Sequence, residues 1–227
     1  MINLTKTDII IVGVKQWGKS YFVTNRLLPI YRQAGYHYVI IDTKCDRGED
    51  LGRFCGITVN EPLGVWQAMN ARWDIHFAVL GTVAEKQRKI DIVFSKVMFS
   101  SDYIFIIDET QAVKELFRDA NSNILSCYTA SGCKGINFVF LAQKLTAQLP
   151  TIIRENATIY VFFRNPDVVT EDYKKKFPNI QKTSKLNRYE CLVTNWTGEY
   201  FIMDKDGKII EKGGEEIDTG NKRQGTD

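Results

Sequence analysis

The chain has 227 residues, enough for one large domain with a small appendage. Hydrophobic residues make up 44% and charged residues 25%, which excludes wholesale disorder. The formal charge of +3 is too small to mark a nucleic-acid binder by itself. Residues 1–210 nevertheless hold 27 basic against 22 acidic residues, and a local patch is enough to grip a phosphate backbone.

Five cysteines without a C-x-x-C pair and only two histidines, His37 and His76, argue against a zinc cluster or a disulfide framework and suit a reducing interior. No run reaches the ~18 apolar residues of a membrane span. The first residues lack the apolar core of a secretion signal. The expectation is a soluble, intracellular protein without a transmembrane segment.

In chain order, short apolar runs recur at Ile9–Val12, Tyr38–Ile41, Ile104–Ile107, Phe138–Leu141 and Ile159–Phe163, with a weaker one at His76–Leu80. They do not alternate with polar residues, so they predict strands buried on both faces of a mostly parallel sheet. Between them, residues 21–32, 61–71, 84–99 and 111–131 suit helices. The third carries Ile90, Val93, Phe94, Val97 and Met98 in one stripe. After Pro166, residues 171–177 predict a short helix. Residues 189–193 and 199–203 flank Trp196-Thr197-Gly198 as a hairpin, Asp206-Gly207 marks a turn, and a mobile tail is expected from 211. Strands alternating with helices give an α/β fold. One domain is expected over 1–210, with a core at about 7–165 and a C-terminal hairpin extension over 166–210.

Gly13-Val14-Lys15-Gln16-Trp17-Gly18-Lys19-Ser20 matches G-x-x-x-x-G-K-[ST] in full, between an apolar strand and a helix. Such a loop curls its N–H groups onto phosphate oxygens. Lys19 is expected on the β- and γ-phosphates and the Ser20 hydroxyl on Mg²⁺, with residues 13–20 and the adjoining Tyr21 forming the nucleotide site. Tyr103–Ile107 then ends in Asp108-Glu109. Asp108 is expected to hold Mg²⁺ through water, and Glu109 to act as general base on the attacking water. Gln143 follows the strand 138–141, and a polar residue there lies beside the phosphate loop at the carboxyl edge of a parallel sheet. It is read as a γ-phosphate sensor. Thr43-Lys44-Cys45-Asp46 fits a guanine-recognition pattern, but it falls too early in the chain. Asp42 and Lys44 are read instead as strand-end residues near the site.

The order phosphate loop, Ile41-Asp42-Thr43-Lys44, Asp108-Glu109, then Gln143 resembles the FtsK–HerA superfamily of DNA-pumping ATPases. Leu141-Ala142-Gln143-Lys144 through Leu149-Pro150-Thr151-Ile152-Ile153-Arg154-Glu155-Asn156 resembles its viral genome-packaging branch, which serves internal-membrane icosahedral viruses and large DNA viruses. The resemblance covers roughly residues 7–165. It implies a P-loop NTPase of the RecA/ASCE-like type, with a mostly parallel central sheet flanked by helices and a small C-terminal β-hairpin region. It also implies ATP and Mg²⁺ as cofactors, double-stranded DNA as partner, and a homo-oligomeric ring, usually a hexamer. Capsid-vertex or internal-membrane proteins are further partners. The implied location is the cytoplasm of an infected host cell or the virion packaging vertex. In such a ring an arginine completes the neighbour's site. Arg154 best matches, with Arg118 and Arg164 as rivals. Relatives carry a basic residue in the loop before the Gln strand; here the segment is Ser131–Gly135, and Lys134 would substitute. The clusters Lys86-Arg88-Lys89 and Lys174–Lys176 are candidates for DNA backbone contact.

Four alternatives stay open: a cellular or plasmid DNA translocase or helicase, a filamentous-phage assembly ATPase, a small-molecule P-loop kinase, and a non-enzymatic nucleotide-binding scaffold. The second usually carries a transmembrane segment. The kinase has less need of Glu109 plus Gln143, and the intact loop and carboxylates speak against the scaffold.

Overall fold

The computed structural model describes residues 4, 7–45, 51–97, 102–134, 136–164 and 171–214. Among the described residues, ten strands form a single sheet in the order β10-β9-β8-β7-β1-β6-β5-β2-β4-β3. The strands are β1 (Ile9–Val12), β2 (His37–Asp42), β3 (Ile57–Val59), β4 (Ile75–Ala78), β5 (Tyr103–Asp108), β6 (Asn137–Ala142), β7 (Ile159–Phe162), β8 (Cys191–Asn195), β9 (Tyr200–Met203) and β10 (Ile209–Gly213). From β7 to β3 all neighbours pair in parallel, and β8 to β10 continue the sheet antiparallel beyond β7.

The continuous apolar runs are explained by burial on both faces. Ile10 and Val12 enter one core, with Val39, Ile41, Phe105, Ile107, Phe138 and Phe140. Their neighbours Ile9 and Ile11 enter the other, with Tyr38, Ile40, Ile104, Ile106, Val139 and Leu141. The successive side chains of a strand point to opposite faces, so each face needs its own layer of helices.

The helices are α1 (Lys19–Phe22), α2 (Leu28–Gln33), α3 (Pro62–Asn70), α4 (Val83–Val97), α5 (Asn123–Lys134), α6 (Leu145–Gln148), α7 (Thr151–Asn156) and α8 (Glu171–Lys176). α1 runs into α2 through a wide π turn over Val23–Leu27, where the Leu28 N–H bonds to Val23 O. Pro29 gives the cause: it has no N–H, and its ring would collide with the carbonyl four residues earlier. On α4, Ile90, Val93, Phe94 and Val97 are buried, as the stripe predicts, while Met98 lies outside the described residues.

Three boundaries differ from expectation. Residues 111–131 are not one helix: a 3₁₀ turn (Thr110–Val113) is followed by turns, and α5 begins only at Asn123. Ser122 caps that start, accepting the Leu125 N–H at 3.2 Å, and Asp91 of α4 accepts the Asn123 N–H at 2.7 Å and the Ile124 N–H at 3.2 Å. At its other end α5 runs to Lys134, so Ser131–Lys134 are helical rather than a loop, and Gly135 lies outside the described residues. The C-terminal hairpin is part of the main sheet, stapled by an aromatic cluster. Trp196 stacks on Phe177 at 4.9 Å, meets Tyr160 edge-on at 5.1 Å and donates to Ala157 O at 2.7 Å. Finally, β10 runs to Gly213, so the first residues assigned to a tail complete a strand; residues 215–227 lie outside the described residues.

Candidate functional site

The site sits at the carboxyl edge of the parallel strands. β6 lies between β1 and β5, so the residues following it are flanked by the phosphate loop and by Asp108-Glu109. Asp108 at the end of β5 is in register with Asp42 at the end of β2. A cleft of ≈ 620 Å³ opens there, lined among others by Lys19, Ser20, Asp42, Lys44, Asp108 and Gln143. Lys15, Gln16, Gly18 and Tyr21 line it too. The sequence-predicted residues Gly13, Val14, Trp17 and Glu109 belong to the same loop and strand end without lining the cleft.

The phosphate loop is shaped by close approach. A Cβ on Gly13 would stand 2.6 Å from Phe163 Cβ, so no side chain fits. Gly18 has φ 112, a left-handed conformation that a side chain disfavours, and starts α1. The Lys19 ammonium is folded back onto its own loop, donating to Gly13 O at 2.6 Å and Val14 O at 3.2 Å.

Glu109 departs from β5 with φ 64 and ψ 72, an uncommon backbone for a non-glycine residue. Its carboxylate forms an ion pair with Lys44. Thr110 Oγ1 donates to Leu141 O at 2.9 Å and ties this turn to β6. Gln143 is held at its backbone: Gln148 Oε1 accepts the N–H of Gln143 at 2.6 Å and of Lys144 at 3.0 Å. Gln148 in turn donates to Gln111 Oε1 at 3.0 Å, linking the residues after β6 to those after β5.

Lys44 sits in a turn braced by Asp42. Asp42 Oδ1 accepts the N–H of Lys44 at 2.9 Å and of Cys45 at 2.8 Å, and Oδ2 contacts His76 Nε2 at 3.2 Å. Burial pushes the Asp42 carboxyl up, but the His76 hydrogen bond and the two N–H donors outweigh it and hold it below the ordinary value. Thr43 Oγ1 donates to Asp108 O at 3.2 Å, and Lys86 of α4 donates to Thr43 O. Asp46, the last residue of the guanine-like pattern, lies outside the described residues.

For Mg²⁺, the Ser20 hydroxyl and the Asp108 carboxylate are hard oxygen donors on one cleft. One or two such ligands suffice, because this ion keeps waters and takes phosphate oxygens for the rest. The residues present fit the ion.

Part of the cleft wall had no signal in the sequence. Arg188 and Tyr189 reach it from the turn before β8. Arg188 Nε donates to Gln16 O at 3.2 Å and the Tyr189 N–H to Trp17 O at 3.3 Å. Glu190 braces this turn, accepting the Asn187 N–H at 2.7 Å. Leu51, Arg53 and Phe54 form another part of the wall.

The arginines are dispersed. Arg154 on α7 donates to Leu149 O at 3.2 Å and Thr151 Oγ1 at 2.9 Å, and does not line the cleft of its own chain. Arg118 pairs with Glu115 at 3.0 Å on the surface. Arg164 lies over the Trp17 ring at 5.5 Å. In the basic clusters, Lys89 pairs with Glu61 at 2.6 Å, Arg88 is exposed, and Lys176 lies over Trp196 at 5.6 Å. The side chain of Lys134 lies outside the described residues.

This strand order and loop define the P-loop NTPase fold. The comparisons with solved structures bear on the fold alone. The chain is similar to the genome-packaging NTPase B204 of Sulfolobus turreted icosahedral virus 2 in complex with AMP, at TM-score 0.66 and 16% identity, over 88% of this chain and 98% of that one. The complex of the same NTPase with AMPPCP gives TM-score 0.66 and 16% identity, over 88% and 97%. B204, the DNA-packaging ATPase of Sulfolobus turreted icosahedral virus, gives TM-score 0.66 and 17% identity, over 88% and 98%. These neighbours share the fold over most of both chains. No family model and no curated protein matches the chain. Among the described residues no helix is long and apolar enough to cross a membrane.

Proposed function

We propose that the protein is an ATP-hydrolysing motor that translocates double-stranded viral DNA into a preformed capsid. The observation that carries the hydrolytic part is the placing of β6 between β1 and β5, which gathers Lys19, Ser20, Asp108 and Gln143 on one cleft beside Glu109. The sharing of this fold with packaging NTPases supports the motor part.

In this reading the loop and Lys19 hold the β- and γ-phosphates, and Ser20 and Asp108 hold Mg²⁺, which neutralises phosphate charge when bound. Water oxygen attacks the γ-phosphorus, the bond to the β–γ bridging oxygen breaks, and ADP leaves with that electron pair. Glu109 takes the water's proton and later returns it to solvent. Gln143 contacts the γ-phosphate or the water.

The working unit is a ring, usually a hexamer, in which Arg154 serves the neighbouring site in trans. DNA passes the clusters Lys86-Arg88-Lys89 and Lys174–Lys176, and capsid-vertex or internal-membrane proteins hold the ring at the virion vertex in the infected cell. The test is ATP hydrolysis with and without long duplex DNA. Stimulation that ignores base sequence supports the motor. Phosphorylation of a small-molecule acceptor, with no response to DNA, replaces it by a kinase.

A further inference from the structure

Glu109 Oε2 is shut off from solvent. The Lys44 ammonium is its ion-pair partner. A carboxylate neutralised in this way is a poor base toward water. Yet Lys44 also lines the phosphate cleft, and its side chain keeps 36% of its exposure against 19% for Glu109. The lysine therefore stands between two anion positions, one filled by Glu109 and one to be filled by substrate.

We propose that Lys44 is a positioning residue that exchanges anions: it neutralises Glu109 while the cleft is empty and transfers to the terminal phosphate when a triphosphate binds, which frees Glu109 for water. The proposal rests on the ATP-hydrolysing reading above. Three observations favour a moving side chain on a fixed backbone. The Lys44 and Cys45 N–H groups are anchored on Asp42, which is buried and backed by His76. The adjoining Thr43 is tied to Asp108 on one side and to Lys86 on the other. The ammonium rides on a flexible four-carbon stem that can swing without disturbing that turn. The terminal phosphate of ATP carries more negative charge than one carboxylate and attracts the ammonium more strongly at equal distance. ADP has no γ-phosphate to offer the ammonium, so the exchange would distinguish substrate from product.

The test is equilibrium binding of ADP and of a triphosphate with a methylene β–γ bridge, with Mg²⁺, to wild type, Lys44→Gln, Lys44→Arg, Glu109→Gln and the Lys44→Gln/Glu109→Gln pair. Loss of a charge-assisted contact predicts that Lys44→Gln weakens the triphosphate roughly 10-fold or more and ADP by less than about 2-fold. Lys44→Arg should keep most of the triphosphate preference. Glu109→Gln releases the lysine beforehand, so it should tighten the triphosphate, and this gain should vanish in the double variant. Equal weakening of both nucleotides, no weakening, or a gain that persists in the double variant overturns the exchange. Failure of the underlying reading looks different: no variant, wild type included, would then bind either nucleotide in a manner that Lys19→Ala abolishes.

Discussion

Tyr189 closes over Gly18: a Cβ on that glycine would stand 2.8 Å from Tyr189 Cδ1 and 3.2 Å from its Cα. Tyr189 itself has φ 71 and meets the ring of Tyr21 at 5.1 Å. The phosphate loop is thus held from outside by a segment that follows β7. Tyr189→Ala should weaken nucleotide binding roughly 3- to 10-fold, the scale of one lost aromatic contact, and leave the fold intact. Gly18→Ala should cost far more, because it adds a left-handed strain to the clash. Nucleotide titration followed by intrinsic fluorescence, with thermal melting as control, measures both. Equal affinity for Tyr189→Ala and wild type would remove the segment from the site.

Lys19 and Glu109 are expected to fail in different ways. Lys19→Ala should abolish hydrolysis and weaken nucleotide binding. Glu109→Gln should keep ATP bound while turnover falls by roughly 10²–10⁴-fold, the scale of a lost general base. Normal turnover in Glu109→Gln refutes the base assignment. Parallel binding and single-turnover assays separate the two.

Arg154 is tested by mixing subunits. Its guanidinium is held by Leu149 and Thr151 of its own chain, away from the lining of that chain's cleft. A mixture of Arg154→Ala with Lys19→Ala subunits should recover part of the activity, since some interfaces then carry both intact halves. Complementation by Arg118→Ala or Arg164→Ala instead would transfer the role. A fully active monomer would dispose of it.

DNA stimulation should fall with salt. Each phosphate contact contributes about −0.9 to the slope of log affinity against log salt on duplex DNA. Arg88 is exposed, while Lys86 and Lys89 also bond within the protein. Arg88→Ala is therefore the cleanest probe of the cluster: DNA stimulation should drop and the DNA-free rate should stay. An unchanged salt slope would clear Arg88 of DNA contact.

Asp8 gives the fold a pH dependence remote from the site. Burial raises its pKa to about 7, against the opposing effect of the Phe138 N–H at 2.8 Å. In the unfolded chain the group ionises near pH 4. Between those values the folded state holds the extra proton, so stability is greatest below about pH 4 as far as this group is concerned. It declines as pH rises toward about 7, by at most about 1.4 kcal/mol per unit. Asp8→Asn keeps an acceptor for Phe138 and should flatten that decline in urea melts from pH 4.5 to 7.5. A decline as steep as in wild type would place the proton elsewhere.

Much of the layout was legible in the chain because its signals are local. Two-sided burial leaves an unbroken apolar run, as at Ile9–Val12, and the loop at Gly13–Ser20 carries its spacing on its face. The 3.6-residue stripe of α4 was equally plain. The split of 111–131 was less so: Ser122 caps α5 locally, accepting the Leu125 N–H, but the carboxylate that takes the first two N–H groups is Asp91 on another helix. What only the tertiary structure decided depends on chain segments meeting over long separations. The sequence cannot state that β6 slots between β1 and β5, that β8 extends the sheet beyond β7, or that Arg188 and Tyr189 brace the phosphate loop. It placed Lys44 near the site, but its ion pair with Glu109 exists only because β2 and β5 lie side by side and end in register at Asp42 and Asp108. Sequence patterns record which surface a residue prefers, apolar or wet. Which partner it meets there is set by the packing of the whole sheet.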